Sequence, residues 1–383
     1  MYFLLFFLSL LHLGSAVLLP KPSGPYSVAL RIHSMTDHHR IDPYAPNHQK
    51  RRILTSIFWP VDVNSCESKR VHYMPPATAE AYGRQAASMG LSNDTFKSIE
   101  MEVCRVSTPS ACKDQGNQKA KFPVAIFSPG SGNSRLIHNA MARSLASYGH
   151  VVVLIDHPYD AAIVEFPDGT IIPGADIPED TENLQKATQV RSEDISFVIS
   201  QIQKIEFQGK VFNGLPGNID TKTIFALGHS MGGASAAAAM LTDSRILGGM
   251  NLDGRLFDPV LTKGFKKPFM QLGRPDHRSQ DATWVKFWKI LTGPKIELEV
   301  AGTVHGSFHD LAFVLKALGL PKEVMKQTVP LFGSIDGQAM QQLVSETVSA
   351  FITYTLGGKK DTLLKAVEKH EELSIVKGQL PSH

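Results

Sequence analysis

The sequence of 383 residues predicts an α/β protein with a mostly parallel central sheet and helices on both faces. Strand patterns alternate with helical patterns along most of the chain, as expected for strands joined by crossover helices. The segment Val151–Asp156 is apolar up to its last residue, which indicates a strand buried on both faces. Hydrophobic residues make up 43% and charged residues 20%, a balance that excludes disordered, collagen-like and coiled-coil proteins.

The first 16 residues form an apolar run that ends in Gly14, Ser15 and Ala16, which is typical of a secretory signal peptide. We predict cleavage after Ala16 and a secreted protein. Because no Lys or Arg precedes the run, an uncleaved anchor helix is the alternative, although Pro20 ends the apolar stretch early. No later segment offers the roughly 18 uninterrupted apolar residues of a membrane span, so we expect a soluble mature chain.

The predicted strands are short apolar runs bounded by turn residues. The early run is rich in β-branched and aromatic residues, and the later ones lead into glycine-containing or polar loops. The strands predicted besides Val151–Asp156 are Arg51–Val61, Phe122–Phe127, Ile224–Gly228, Gly248–Leu252, Pro268–Leu272 and Lys295–Val300.

The predicted helices repeat apolar residues at helical spacing or consist of small residues. They are Ile137–Tyr148, Gln185–Phe207, Gly233–Leu241, Ser307–Leu318 and Met340–Tyr354. Residues 157–182 are rich in Pro, Gly and Asp and are interpreted as an insertion. The tail after Leu356 is charged and is expected to be peripheral. We therefore predict one domain over residues 17–383.

The cysteine count allows one disulfide and one free thiol in an exported chain. We favour Cys66 with Cys104, because Cys104 lies in the alternating stretch Ile99–Val106, which predicts a strand; Cys104 with Cys112 is the alternative. Three cysteines cannot form a four-thiolate zinc site, and no H-E-x-x-H motif is present, so neither a metal nor a cofactor is predicted. Asn93 stands in the only N-x-[ST] sequon and is a candidate glycosylation site.

Charge indicates which partners to expect. Lys and Arg number 39 and Asp and Glu 36, for a formal net charge of +3, and no long basic run occurs. We therefore do not predict a protein that binds nucleic acid by neutralising its phosphates.

Residues 228–232, Gly-His-Ser-Met-Gly, match the pattern G-x-S-x-G. An apolar strand leads into the motif and a small-residue helix leaves it, which is the setting of a nucleophile elbow. The strained turn needs Gly228 and Gly232 because a Cβ there would clash, and the helix start points free amides at Ser230. A plain tight turn is the alternative. The motif predicts Ser230 as a nucleophile in an α/β-hydrolase fold.

A serine nucleophile needs a base, and the base needs an orienting carboxylate. The chain order in this fold class is Ser, acid, His. Asp253 directly follows the next predicted strand and is our candidate acid, although Asp-Gly is also a common turn. Asp276 and Asp281 are weaker candidates, because no strand directly precedes either of them.

His305 is the candidate base because it lies on a loop between a late strand and a late helix. His309, at the predicted helix start, and His277, in a polar loop, are the alternatives. Ser307 and Asp310 have the spacing of a capping box for the helix that follows.

Two backbone amides are needed to bind the oxyanion of acyl transfer. Met231, the residue after the nucleophile, supplies one of them. The glycine-rich turn after Phe122–Phe127 supplies the other; we assign it to Ser131, with Gly130 as the alternative. A dinucleotide-binding fingerprint fails here, because Arg135 stands where its third glycine is required.

The stretches FPVAIFSPGSGNSR, GHSMGG, Leu-Asp-Gly and Val-His-Gly-Ser-Phe resemble the secreted and type II platelet-activating-factor acetylhydrolases, especially their fungal relatives. The resemblance spans roughly residues 50–320. It implies a calcium-independent serine esterase of phospholipase A2 type that cuts short or oxidised sn-2 acyl groups from glycerophospholipids. By this resemblance Ser230, Asp253 and His305 form the triad, and Ser131 and Met231 provide the oxyanion-hole amides.

In animal members a Ser-His-Gly step usually stands where this chain has Ser128-Pro129-Gly130, so the resemblance leaves the substrate open. The expected partner is a phospholipid or another ester, with transient contact to a lipid surface. A general carboxylesterase, lipase or polyester hydrolase is the alternative, and a non-catalytic hydrolase-like binding module is the second.

Overall fold

The computed structural model describes residues 16–88, 90–105, 120–212 and 214–381. The predicted signal peptide, apart from Ala16, lies outside these residues, as does Cys112. Within the described ranges, no helix combines the length and the apolar character needed to cross a membrane.

A sheet of twelve strands organises the described residues, with a separate two-stranded hairpin beside it. The strands are β1 (Val17–Leu18), β2 (Ser27–Ile41), β3 (Lys50–Val61), β4 (Glu67–His72), β5 (Ile99–Arg105), β6 (Lys121–Ser128), β7 (Val151–Asp156), β8 (Ile163–Glu165), β9 (Ile171–Pro173), β10 (Asn218–His229), β11 (Ile246–Leu252), β12 (Phe269–Gly273), β13 (Lys295–Val300) and β14 (Leu373–Gln379).

The strand order is β1-β5-β2-β3-β7-β6-β10-β11-β12-β13-β14, and β4 pairs with β5. The central strands from β7 to β13 in this order are all parallel to their neighbours. Antiparallel pairs flank them, namely β2 with β3, β3 with β7 and β13 with β14. The predicted α/β class with a mostly parallel sheet is confirmed. In such a sheet the carboxyl ends of the central strands meet at one edge, where sites form.

Helices cover both faces of this sheet. They are α1 (Pro76–Ser88), α2 (Asn139–Ser147), α3 (Thr181–Ile202), α4 (Ile205–Val211), α5 (Met231–Thr242), α6 (Val260–Lys263), α7 (His277–Gln280), α8 (Ala282–Ile290), α9 (Leu311–Ala317), α10 (Lys322–Phe332), α11 (Gly337–Thr355) and α12 (Lys360–Glu368), with short 3-10 helices at Val63–Ser65, Arg135–His138 and His305–Phe308.

The core has two layers because side chains alternate along each strand. On β10, Phe225 and Leu227 join the apolar cluster that contains residues of α2 and α11. Ile224 and Ala226 of the same strand join the cluster that contains residues of α3 and α5. Burial on both faces accounts for the continuous apolar runs in the central strands.

The predicted capping box of Ser307 and Asp310 is wrong. Ser307 Oγ accepts from the Val304 amide at 2.9 Å and donates to the carbonyl of Phe332 at 2.8 Å. The Asp310 carboxylate instead accepts from the backbone amide of Ala140 at 2.6 Å, at the start of α2. Free amides at the start of a helix attract a carboxylate, and those of α2 lie within reach of Asp310.

The charged tail contributes more than the expected peripheral segment, because β14 pairs antiparallel with β13 at one edge of the sheet. Only its first residue, Leu373, is buried. Backbone hydrogen bonds hold the other residues, and the apolar Ile375 and Val376 stay exposed, so the strand lacks the regular alternation of a half-buried strand. A second difference concerns the single helix predicted over Gln185–Phe207. The structure has two helices there, α3 and α4. Within residues 157–182, the insertion holds the β8–β9 hairpin.

A disulfide joins Cys66, just before β4, to Cys104 in β5, with the two Cα atoms 5.1 Å apart. This is the pairing that the sequence favours. The two strands are antiparallel neighbours, which brings the cysteines together across the pair. The Asn93 side chain lies on an exposed turn between α1 and β5.

Candidate active site

Ser230 lies between β10 and α5 in a strained backbone conformation, with φ 55° and ψ −126°. For a non-glycine residue such geometry costs about 1–3 kcal/mol and persists only where the surroundings enforce it. A Cβ on Gly228 would lie 2.4 Å from the Ser128 carbonyl oxygen, and one on Gly232 would lie 1.9 Å from the same atom. The two glycines therefore let β6, β10 and α5 approach closely enough to form the elbow.

The structure brings Ser230, Asp253 and His305 together at the carboxyl edge of the sheet. Asp253 follows β11, and His305 begins the 3-10 helix after β13. His305 Nε2 lies 3.0 Å from Ser230 Oγ, and His305 Nδ1 lies 2.7 Å from Asp253 Oδ2. This is the connectivity of a nucleophile, a base and an orienting acid.

Asp253 is fully buried, and its carboxylate accepts hydrogen bonds from other groups besides His305. His277 Nδ1 lies 2.7 Å from Oδ1, and the Arg274 amide donates to the same oxygen at 2.9 Å. Arg274 Nη1 donates to Oδ2 at 2.6 Å. Burial alone would raise the pKa of Asp253, but the hydrogen bonds from His277 and His305 lower that pKa well below its ordinary value. The carboxylate thus stays charged beside His305.

The alternative acids and bases are placed differently. Asp281 caps α8 through the Thr283 amide at 2.9 Å, and Asp276 precedes α7 with a positive φ of 60°. His309 is partly exposed, and the burial of its ring lowers its pKa to about 4. His277 shares Asp253 with His305 but is not hydrogen-bonded to Ser230. Its pKa is raised, because its bonds to Asp253 and Asp281 outweigh the lowering effect of burial.

His229, the variable residue of the elbow motif, also supports the site, which the sequence analysis did not predict. Its ring lies 4.6 Å from that of His305, and its Nε2 donates to the His305 carbonyl at 3.0 Å. Burial, followed by the nearby His305 and His309, lowers the pKa of His229 well below its usual value. A neutral imidazole therefore packs behind His305. In the sequence, the signal for this role is that His229 directly precedes the predicted nucleophile.

The residues predicted to supply the oxyanion amides belong to two segments that lie next to Ser230. The Met231 amide is the first of α5, where helix amides have no partner within the helix. In the other segment, a Cβ on Gly130 would come within 3.3 Å of the Ser230 Cβ, so the loop that carries Gly130 and Ser131 passes directly beside Ser230.

A cavity of about 480 Å³ opens at Ser230 and His305, and Arg255, Arg274 and Thr283 are among its lining residues. A larger cavity of about 740 Å³ lies between β2, β4, β5 and the insertion, and none of the predicted triad or oxyanion-hole residues lines it. The chemistry of the side chains, and not cavity size, therefore indicates the site. Among the described residues, no group of three or more His, Cys, Asp or Glu side chains is arranged to hold a metal ion.

A second Ser–His–Asp arrangement lies beneath the loop that follows β6. Ser128 Oγ is 2.9 Å from His157 Nε2, and His157 Nδ1 is 2.8 Å from Asp194 Oδ2. All three side chains are buried. Arg51 Nη2 donates to Asp194 Oδ2 at 2.6 Å, so the arrangement ends in an ion pair.

Residues 12–371 match the family model described as platelet-activating factor acetylhydrolase, isoform II. The chain belongs to this family. A relative from Arthroderma benhamiae, named a probable 1-alkyl-2-acetylglycerophosphocholine esterase, is 30% identical over 92% of this chain and 91% of its own length. The platelet-activating factor acetylhydrolase of Cavia porcellus is 25% identical over 90% of this chain and 79% of its own length.

A solved structure, a ferulic acid esterase from Streptomyces cinnamoneus, superposes with a TM-score of 0.75 at 25% identity. The alignment covers 95% of this chain and 100% of that one. The predicted family and α/β-hydrolase fold are thereby confirmed, and the chain is an esterase of the platelet-activating-factor acetylhydrolase family.

Proposed function

We propose that this chain is a secreted, calcium-independent serine esterase that hydrolyses short or oxidised sn-2 acyl esters of glycerophospholipids through an acyl-enzyme. The observation that carries the proposal is the hydrogen-bonded chain from Ser230 Oγ through His305 to the buried carboxylate of Asp253. The relatives named above act on lipids of this kind by their names, and the shared family extends that chemistry to this chain as a proposal.

In the proposed mechanism, His305 takes the proton of Ser230 as the oxygen attacks the ester carbonyl. Asp253 holds the imidazole with Nδ1–H towards its own Oδ2, so Nε2 is free to accept that proton. The amides of Met231 and Ser131 bind the oxyanion. His305 then returns the proton to the leaving alcohol, and water hydrolyses the acyl-enzyme with the same base. The groups that activate Ser230 and bind the oxyanion all belong to the protein, so the proposed mechanism uses no calcium.

The cationic side chain of Arg255 favours a phospholipid over the other possible ester substrates. Arg255 is exposed and lines the same cavity as Ser230. Across the described ranges, no carboxylate lies within ion-pair distance of its guanidinium, whereas Arg274 in the same cavity is paired with Asp253. The Arg255 guanidinium lies over the Phe257 ring at 5.6 Å, which leaves its charge without a carboxylate partner. Such a guanidinium in the cavity of the reacting serine suits a phosphate diester. We propose that Arg255 contacts the substrate phosphate.

Secretion follows from the predicted signal peptide, and the Cys66–Cys104 disulfide fits an oxidising compartment. We propose the exposed Asn93 side chain as a glycan acceptor in that compartment. Mass spectrometry of the protein recovered from culture medium tests both points: the mature chain should start at Val17, and glycosidase treatment should lower its mass.

The decisive experiment measures hydrolysis of acetyl, butyryl and long-chain sn-2 esters of glycerophosphocholine, with neutral aryl esters of the same acyl groups as the comparison. We expect the highest kcat/KM on the short-chain phospholipid and full activity in EDTA. Arg255→Gln should raise KM for the phospholipid and leave the aryl ester unchanged. Faster turnover of long-chain or neutral esters would favour a general carboxylesterase, lipase or polyester hydrolase. Failure of a fluorophosphonate to label Ser230 would favour a binding module.

A further inference from the structure

The loop of residues 129–134 lies on one side of Ser230, where its backbone amides could stabilise the oxyanion of the proposed reaction. It joins β6 to the 3-10 helix Arg135–His138 and packs against the nucleophile at Gly130. An amide stabilises an oxyanion only when its N–H points at the oxygen, so the rotation of each peptide group in this loop matters as much as its position.

Arg191 on α3 donates to two successive carbonyls of this loop. Its Nη1 lies 2.5 Å from the Pro129 oxygen, and its Nη2 lies 3.1 Å from the Gly130 oxygen. Asp160 holds the guanidinium through Nε at 2.7 Å and also through Nη2. Both side chains are buried, Arg191 at 1% and Asp160 at 4% exposure. The Gly130 oxygen also accepts from the Asn133 amide at 3.2 Å. The buried ion pair therefore restrains the rotation of two peptide groups, and it shares the second of them with this turn.

Because a peptide group is planar, the contact with Arg191 also sets the direction of the N–H groups in the same peptides. In a trans peptide the N–H points opposite to the carbonyl. Because the carbonyls of Pro129 and Gly130 face Arg191, the N–H groups of Gly130 and Ser131 face away from it. In the part of the chain that the structure describes, neither of these two amides donates to a protein acceptor.

We propose that Arg191, held by Asp160, is a positioning residue that orients the Ser131 amide towards the oxyanion formed at Ser230. A rotated peptide would place a carbonyl oxygen where negative charge develops. It would also leave a buried guanidinium N–H without an acceptor, which is unfavourable. The inference rests on the proposed function, because an oxyanion forms only when Ser230 attacks an ester.

The charge of Asp160 is consistent with this role. Burial alone would raise the pKa of Asp160, but Arg191 lowers it below the ordinary value for a carboxyl. The carboxylate is therefore charged at neutral pH. It holds the guanidinium in place and also accepts from the Gly132 amide of the loop at 3.5 Å.

The test uses Arg191→Lys, Arg191→Gln and the double variant Asp160→Asn with Arg191→Gln, which leaves no unpaired buried charge. Arg143→Gln is the matched control, because Arg143 is also buried and donates to two backbone carbonyls, those of Glu102 and Pro20, away from the site. Each variant is measured for kcat and KM, for inhibition by a trifluoromethyl ketone analogue, and for binding of a non-hydrolysable ether analogue.

We expect Arg191→Gln and the double variant to lose about 10- to 100-fold in kcat, somewhat less than direct removal of an oxyanion donor. KM and ether binding should stay within about twofold, while ketone affinity should fall with kcat. Arg191→Lys, which can reach one carbonyl, should recover part of the loss. The control should keep wild-type kcat. Equal losses in the control and the Arg191 variants, or losses confined to KM, would overturn the inference.

A crystal structure of the wild-type enzyme with the trifluoromethyl ketone keeps the proposal testable even if the Arg191 variants do not fold. We expect the adduct oxygen within about 3.2 Å of the Ser131 nitrogen, with Pro129 and Gly130 still bonded to Arg191. An oxygen bound elsewhere overturns the role of Arg191 alone. A ketone that does not bond to Ser230 would instead contradict the proposed function.

Discussion

Two Ser–His–Asp arrangements lie at the carboxyl edge of the same sheet, and their hydrogen-bond distances are nearly equal. The first joins Ser230, His305 and Asp253 at 3.0 and 2.7 Å. The second joins Ser128, His157 and Asp194 at 2.9 and 2.8 Å. Residue type and distance alone do not distinguish them.

Access and backbone geometry do distinguish them. The His305 side chain is half exposed and lines a cavity with Ser230, whereas the His157 side chain is only 1% exposed. Ser230 occupies a strained turn directly before a helix, whereas Ser128 is the last residue of a strand. The comparison therefore leads us to expect reactivity only at the first arrangement, where a substrate can reach the serine and the first amides of a helix lie next to it.

The largest expected difference concerns the two serines. Ser230→Ala should lower kcat/KM for a short-chain ester by about 10⁴-fold or more, because the nucleophile is lost. Ser128→Ala should stay within about tenfold of wild type and still be labelled by a fluorophosphonate. Equal losses in both variants would remove the distinction. Circular dichroism of both variants controls for folding.

The next difference concerns the histidines. His305→Gln should lose at least about 10³-fold in kcat, because among the residues that the structure describes no other base is hydrogen-bonded to Ser230 Oγ. His157→Gln should act mainly through the melting temperature, since His157 bridges buried groups. If His157→Gln lost as much activity as His305→Gln at an unchanged melting temperature, the buried arrangement would have a part in the reaction.

The two aspartates should differ in whether their loss is seen mainly in stability, as for Asp194, or mainly in activity, as for Asp253. Burial would raise the pKa of Asp194, but Arg51 and His157 lower it well below the usual value. A lowered carboxyl pKa stabilises the fold above the unfolded-state pKa near 4, and this stability is lost as pH falls towards the folded-state pKa. Asp194→Asn should cost about 3–5 kcal/mol at pH 7, since it leaves Arg51 buried with less compensation.

The gap in unfolding free energy between wild type and Asp194→Asn should therefore narrow below about pH 4. Urea titrations at pH 7, 5 and 3 measure it. Asp253→Asn is the companion variant: its main loss should be in kcat, as expected for an acid that orients a base. A gap that widened in acid would contradict the assigned pKa direction for Asp194.

The smallest expected effect is that of His277→Gln, about tenfold or less in kcat. His277 supports Asp253 from the oxygen that His305 does not use, and Arg274 still donates there. A loss comparable to that of His305→Gln would show that Asp253 depends on both histidines. Arg278→Gln, at a position outside the cavity, serves as the control.

Much of the active site could be predicted from local sequence. The elbow around Ser230 is a contiguous pattern, and its glycines have a local steric reason. Asp253 and His305 follow apolar strands, and the carboxyl ends of parallel strands meet at one edge. The same reasoning did not find β14, of which only Leu373 is buried, or the contact of Asp310 with α2.

The sequence by itself determined the alternation of strands and helices, the elbow and the order of the candidate residues, because these depend on neighbours along the chain. Only the tertiary structure decided which carboxylate is hydrogen-bonded to His305 and that His277 shares this carboxylate. It also decided that Arg191 donates to the loop beside Ser230. Those contacts join residues far apart in the chain. Their partners are selected by burial, since each buried charge must find an opposite charge or a backbone group among whatever the fold brings near.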